Sequence, residues 1–122
     1  MEVILDTSFI MICIKEKADF LSAEEYGKMV LTKQVLVELE KLKENGERKE
    51  RETAELALKI IEKNVFKFEI IELEGKFVDA GIKRYAEGRK VIVATMDKEL
   101  KRELRGLAGI LTLRAKKKIE LE

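Results

Sequence analysis

Four carboxylates stand out in this 122-residue chain because of where they fall. Asp6 directly follows the apolar run Val3-Ile4-Leu5, and Asp97 follows Val91-Ile92-Val93-Ala94 after Thr95-Met96. Two more acids border apolar helical stripes. In a helix starting near Lys33, the residues Val35, Leu39 and Leu42 point inward. At about 100° per residue, Glu38 lies roughly 65° from the centre of that stripe, whereas Glu40 lies about 130° away, in solvent. Farther on, Val78, Ile82 and Ala86 make a second inward stripe with Asp79 beside it. A carboxylate rarely borders a core unpaired. Four acids in one cleft repel one another, so either some bind protons or a cation neutralises them. Oxygen donors alone suit a hard ion, Mg2+ or Mn2+, of the kind that activates water and polarises a phosphate oxygen. Asp97 taken singly reads equally well as a helix cap. Asp6 is harder to explain that way, because Ser8 is the better-placed cap.

Composition removes most competing chemistries. The chain has no His, which excludes a Ser-His-Asp triad, a Cys-His pair and His-ligated metal. Its one cysteine, Cys13, excludes an internal disulfide framework and a Cys-based zinc cluster, and among Ile10, Ile12 and Ile14 it reads as a buried apolar residue. The longest apolar run, Phe9 to Ile14, is too short to span a bilayer, and the opening before it, which contains Glu2 and Asp6 and has no Lys or Arg, lacks the form of a secretory signal. The expectation is a cytoplasmic protein with no membrane partner. Charged residues are 40% of the chain and nearly balanced, a Lys/Glu enrichment typical of thermophile proteins. The balance is uneven along the chain: Lys98 to Lys118 carries eight basic residues and two acidic ones. That segment either meets phosphates or is a solvated helix face with a charged tail.

The elements that must position the acids follow from the pattern of apolar runs. Val3-Ile4-Leu5, Met29-Val30-Leu31, Val65 to Ile71, Val91 to Ala94 and Ile110 to Leu113 read as strands. Helical patterns separate them: Ser8 to about Lys15, Lys33 to Asn45 capped by Thr32, Glu47 to Lys63 with its stripe at 54, 57, 58 and 61, Phe77 to Glu87, and Lys98 to Arg105. Strands alternating with helices imply parallel pairing through right-handed crossovers, and fully apolar strands imply a sheet covered on both faces. The expected fold is a three-layer α/β/α sandwich with a central parallel sheet of about five strands, formed by residues 1–122 as one domain. Ligands in such sheets bind beyond the carboxyl ends of the strands, where the strand order reverses.

The segments Leu5-Asp6-Thr7-Ser8, Val35 to Leu42, Val78-Asp79-Ala80-Gly81-Ile82 and Val93 to Leu100 together resemble, in order and spacing, the PIN domain family of metal-dependent nucleases. The resemblance implies a sheet in the order 3-2-1-4-5 and an endoribonuclease that uses Mg2+ or Mn2+. It places the family's four acids on Asp6, Glu38, Asp79 and Asp97, with Asp6, Asp79 and Asp97 contacting the metal. Its hydroxyl partners fall on Thr7 or Ser8 and on Thr95. Single-stranded RNA is the implied substrate, with Lys98, Lys101, Arg102, Arg114 and Lys116 available to its phosphates. Homodimers are common in the family. The resemblance leaves two roles open, the toxin of a toxin–antitoxin pair with a small antitoxin protein as partner, or an RNA-processing enzyme acting on rRNA; the segments around Asp97 and Arg114 lean to the second. A non-catalytic RNA-binding or assembly module on the same fold is the alternative. The chain departs from the family in having Thr32-Lys33 where Pro is common, Met96 for a common Asn, and Ala80 where a second Asp often follows the third acid, which weakens the case for a second metal.

Overall fold

Strands that are apolar at every position need cover on both faces, and four of the six strands here have it. A computed structural model describes every residue of the chain except Lys116. In chain order the elements are β1 (Glu2–Leu5), α1 (Thr7–Lys15), β2 (Lys28–Thr32), α2 (Lys33–Asn45), α3 (Arg48–Lys63), β3 (Phe68–Ile71), α4 (Val78–Ala86), β4 (Val91–Ala94), α5 (Lys98–Glu103), β5 (Gly109–Arg114) and β6 (Lys118–Leu121). They form one sheet in the order β3-β2-β1-β4-β5-β6. The first five strands are parallel, and β6 runs antiparallel to β5.

The period-2 alternation of the strands divides the core into two layers. Val3, Leu5, Met29, Leu31, Ile92, Ala94 and Leu111 face one side, where they meet Phe9, Ile10 and Cys13 of α1, Val35 and Leu39 of α2, and Ala57 and Ile61 of α3. Val91, Val93 and Ile110 face the other side, where they meet Leu73, Ile82 and Ala86 around α4 and Leu100 and Leu104 around α5. The result is the three-layer α/β/α arrangement expected from the pattern. Cys13 is buried, and burial pushes its thiol up to about 12. Among the described residues no helix is long and apolar enough to cross a membrane.

Several sequence expectations are corrected. The sheet has six strands, because Lys118–Leu121 folds back beside β5 in place of trailing off as a charged tail. Ile119 packs on the core, while Glu120 and Glu122 meet Arg114 and Lys101, so the hairpin satisfies apolar and charged groups together. Val65 and Phe66 lie outside β3, in a single 3-10 turn, Val65–Lys67, with both side chains exposed. Ser8 does not cap α1. Asp6 occupies the N-cap position without a side-chain capping bond, and the helix begins at Thr7. Thr32 does cap α2, accepting the Val35 N–H at 3.0 Å. Leu39→Ala, at a fully buried site, is expected to cost about 2–5 kcal/mol. Val37→Ala, on the open face of the same helix, should stay within about 0.5 kcal/mol. Chemical denaturation of the two variants checks both.

Candidate active site

β1 and β4 lie side by side because the chain crosses the sheet between β3 and β4, so the strand order reverses between them. Leu5 pairs with Ala94, and the Asp6 N–H extends the ladder by donating to the Ala94 carbonyl at 2.9 Å. The residues just past these two strand ends are therefore forced together. Asp6 Oδ2 accepts two hydroxyls, from Ser8 at 2.9 Å and from Thr95 at 2.8 Å. The Ser8 hydroxyl accepts the Met96 N–H at 3.0 Å, and that of Thr95 accepts the Asp97 N–H at 3.1 Å. Asp6 and Thr95 are both buried. Each hydroxyl thus donates to the acid and accepts an amide from the loop that carries Asp97. Met96 tightens the same loop, since its thioether sulfur accepts from the Thr112 hydroxyl at 3.3 Å and from the Leu113 N–H at 3.4 Å.

The helix-cap reading of Asp97 is realised. Its Oδ1 caps α5, accepting the Glu99 and Leu100 N–H groups at 2.9 and 3.2 Å. Its charge nevertheless acts on Asp6 and on Asp79. Glu38 and Asp79 are half-buried, on α2 and in the first turn of α4. Burial, the repulsion of Asp97 adding to it, raises the Asp6 carboxyl above its ordinary value against the pull of the Thr95 and Ser8 hydroxyls. Burial raises Glu38 as well, followed by repulsion from Asp6 and from Asp79, while the neighbouring Thr7 hydroxyl and Lys41 pull it down. Asp79 is raised by burial and then by Asp6, Asp97 and Glu103. Every one of the four acids therefore repels at least one other. The Thr7 hydroxyl is buried and completes no hydrogen bond of good geometry.

Other site residues fall differently from expectation. Glu103, on the last turn of α5, adds a fifth negative charge that nothing in the spacing of the apolar residues distinguishes; it sits 3.9 Å from Lys83. Three of the basic residues expected to meet phosphates have acidic partners. Lys101 pairs with Glu122 at 2.8 Å and also reaches Thr112, Arg114 lies 3.7 Å from Glu120, and Arg102 lies 3.4 Å from Glu99. Lys98 is exposed, and Lys116 lies outside the described residues. Among the aromatic residues, Phe9, Phe20 and Phe68 are buried, whereas Phe77, two residues before Asp79, is 75% exposed. A groove of about 750 Å³ runs past Ser8 and Met96, lined also by Met11, Lys15, Lys49 and Glu50, and none of the four acids lines it.

The donor set fits a hard cation. Around the cleft the structure offers carboxylate and hydroxyl oxygens, and the chain has neither His nor an exposed thiol to favour a softer metal. Among the described residues, no three acid side chains stand at mutual ligating distance. That spacing suits an ion which keeps several waters and takes one or two carboxylates directly.

The raised Asp6 carboxyl makes a prediction with a definite sign. The folded protein binds this proton more tightly than the unfolded chain does, so its stabilising effect is complete below the ordinary value of 3.8 and is lost as pH rises through the raised folded value. Asn in place of Asp6 can present its carbonyl oxygen to both Ser8 and Thr95 without the charge. Asp6→Asn is therefore expected to raise the melting temperature of the metal-free protein at pH 7 and to leave it unchanged well below pH 3.8. Thermal unfolding in EDTA at the two pH values measures this.

Comparison with known proteins agrees with this architecture. The chain is 36% identical over 103 residues to ribonuclease VapC9 of Archaeoglobus fulgidus, covering 82% of this chain and 73% of that protein. It is 28% identical over 127 aligned positions to ribonuclease VapC4 of Methanocaldococcus jannaschii, covering 98% of this chain and 95% of that protein. The crystal structure of PAE2754 from Pyrobaculum aerophilum superposes with a TM-score of 0.58 at 18% identity, over 88% of this chain and 83% of that one, a likeness of fold. The family model described as a PIN-like domain matches residues 3–116. With the sheet order, the acid-bearing strand ends and that match in agreement, the chain belongs to the PIN-like domain family.

Proposed function

We propose that the protein is an endoribonuclease that depends on Mg2+ or Mn2+ and hydrolyses phosphodiester bonds in single-stranded RNA. The observation that carries this reading is the convergence of Asp6, Glu38, Asp79 and Asp97, from four separate elements, into one field in which they repel each other. A divalent ion would relieve that repulsion. Asp6, Asp79 and Asp97 would hold it, one or two of them directly and the rest through its waters, with Glu38 also acting through water. Bound there, the ion would polarise the phosphate and lower the pKa of the attacking water, which no His is present to deprotonate.

The chain's own groups do the rest. Ser8 and Thr95 lock Asp6 Oδ2 and leave its other oxygen for the ion. Asp97 spends Oδ1 on its helix cap, which fixes the orientation of Oδ2. Glu38, made more basic by burial and then by the charges of Asp6 and Asp79, is suited to hold a proton from the attacking water. Phe77 offers an exposed ring to an unstacked base next to Asp79, which favours a single strand over a duplex. The two relatives carry the name of VapC ribonucleases, and this supports a toxin role, with a small antitoxin as partner, over rRNA processing.

Cleavage of a single-stranded RNA in Mn2+, repeated in EDTA and with Asp6→Asn, tests the reading. Both changes are expected to abolish cleavage, and activity that survives both would refute it. Ser8→Ala, which frees one side of Asp6, is expected to lower kcat about 10–100-fold while leaving some turnover.

A further inference from the structure

Glu38 and Asp79 are carried by different helices on opposite faces of the sheet, and their charges repel. Something must hold the two helices at the observed spacing. Gln34, the only glutamine in the chain, lies on α2 one turn before Glu38 and hence on the same face. Its side-chain amide grips both backbone groups of a single residue: Nε2 donates to the Leu73 carbonyl at 2.8 Å, and Oε1 accepts the Leu73 N–H at 3.1 Å. Leu73 lies in the otherwise exposed connection between β3 and α4, and its side chain is buried in the second core with Ile82 and Ala86 of α4.

The other side of Leu73 abuts α4 at Gly81. A Cβ on Gly81 would stand 3.0 Å from Leu73 Cβ and 3.2 Å from the Glu74 carbonyl, so a side chain there would push Leu73 and Glu74 back by a few tenths of an ångström. Asp79 is two residues before Gly81. A continuous path therefore runs from α2 through the Gln34 amide to Leu73 and from Leu73 to the first turns of α4. We infer that Gln34 is a positioning residue: by pairing with the backbone of Leu73 it sets the distance between Glu38 and Asp79, and so the fit of the acidic site to its divalent ion.

The inference rests on the metal-dependent nuclease reading and is tested alongside it. Wild type, Gln34→Met, Gln34→Asn and Asp6→Asn are compared by calorimetric titration with Mn2+, by steady-state RNA cleavage at saturating Mn2+, and by thermal unfolding, with all assays run well below the melting temperature. Gln34→Met keeps the length of the side chain and loses both hydrogen bonds; Gln34→Asn keeps the amide and falls one methylene short. Both are expected to remain folded, to bind Mn2+ about tenfold more weakly, and to lose kcat by a similar factor with the KM for RNA unchanged. A lesion that merely loosened the fold would not split kcat from KM in this way. If either folded Gln34 variant matches wild type in Mn2+ affinity and kcat while Asp6→Asn abolishes both, the positioning role is wrong and the nuclease reading stands. If wild type itself neither binds Mn2+ nor cleaves RNA, both fall.

Discussion

The repulsion among Asp6, Glu38, Asp79 and Asp97 is the constraint on which the rest of the structure depends. Each of these acids would be better solvated apart, and the chain brings them together from β1, α2, α4 and the loop before α5. Burial and mutual charge hold three of them above their ordinary protonation range. Such an arrangement persists only because forces unrelated to the acids favour it. The strand pairing of β1 with β4 and the packing of two apolar layers supply those forces. The site is thus a region of stored electrostatic cost inside a fold stabilised elsewhere.

The fold holds the acids at three levels. The backbone ladder brings Asp6 against the end of β4 and fixes where the strand ends meet. The hydroxyls of Ser8 and Thr95 then fix one oxygen of Asp6, and by accepting the Met96 and Asp97 amides they tie the following loop to the same point. The half-buried acids on the two helices lack such hydroxyl locks, and their spacing is set by how α2 and α4 are seated. Met96, which stands where the family commonly has Asn, is accommodated because its sulfur takes two hydrogen bonds from β5. The loop is held from the far side by a different donor set.

The charge distribution has a different meaning in three dimensions from the one it has along the chain. The basic stretch from Lys98 to Lys118 looks like an unpaired surface when counted alone. The antiparallel return of β6 lays Glu120 and Glu122 beside Arg114 and Lys101. The Glu122 carboxyl is held below its ordinary value by the hydrogen bond from Lys101. These pairs are partly exposed and contribute little to stability, but they leave less positive charge for phosphates than the count suggests.

Periodicity and run length by themselves determined the layers, the crossovers and the place of the cleft, because a fully apolar strand has no alternative to burial on both faces and parallel neighbours require a crossover. They also marked Asp6 by its position after a buried strand and Glu38 by its angle on α2. Both features are local and survive translation into space. Tertiary structure alone decided what local spacing cannot encode. Ser8 left the cap to serve Asp6 because Thr95 and Met96, nearly ninety residues away, completed its hydrogen bonds. Asp97 became a cap through Oδ1 while its charge acts on Asp6 and Asp79. The last strand formed because its backbone pairs with β5 and Ile119 packs on the core, and Phe77 stayed in solvent because the residue that its loop buries is Leu73. In each case the deciding partner lies far away in sequence, and the free energy of a contact depends on the partner that arrives as much as on the residue that waits for it.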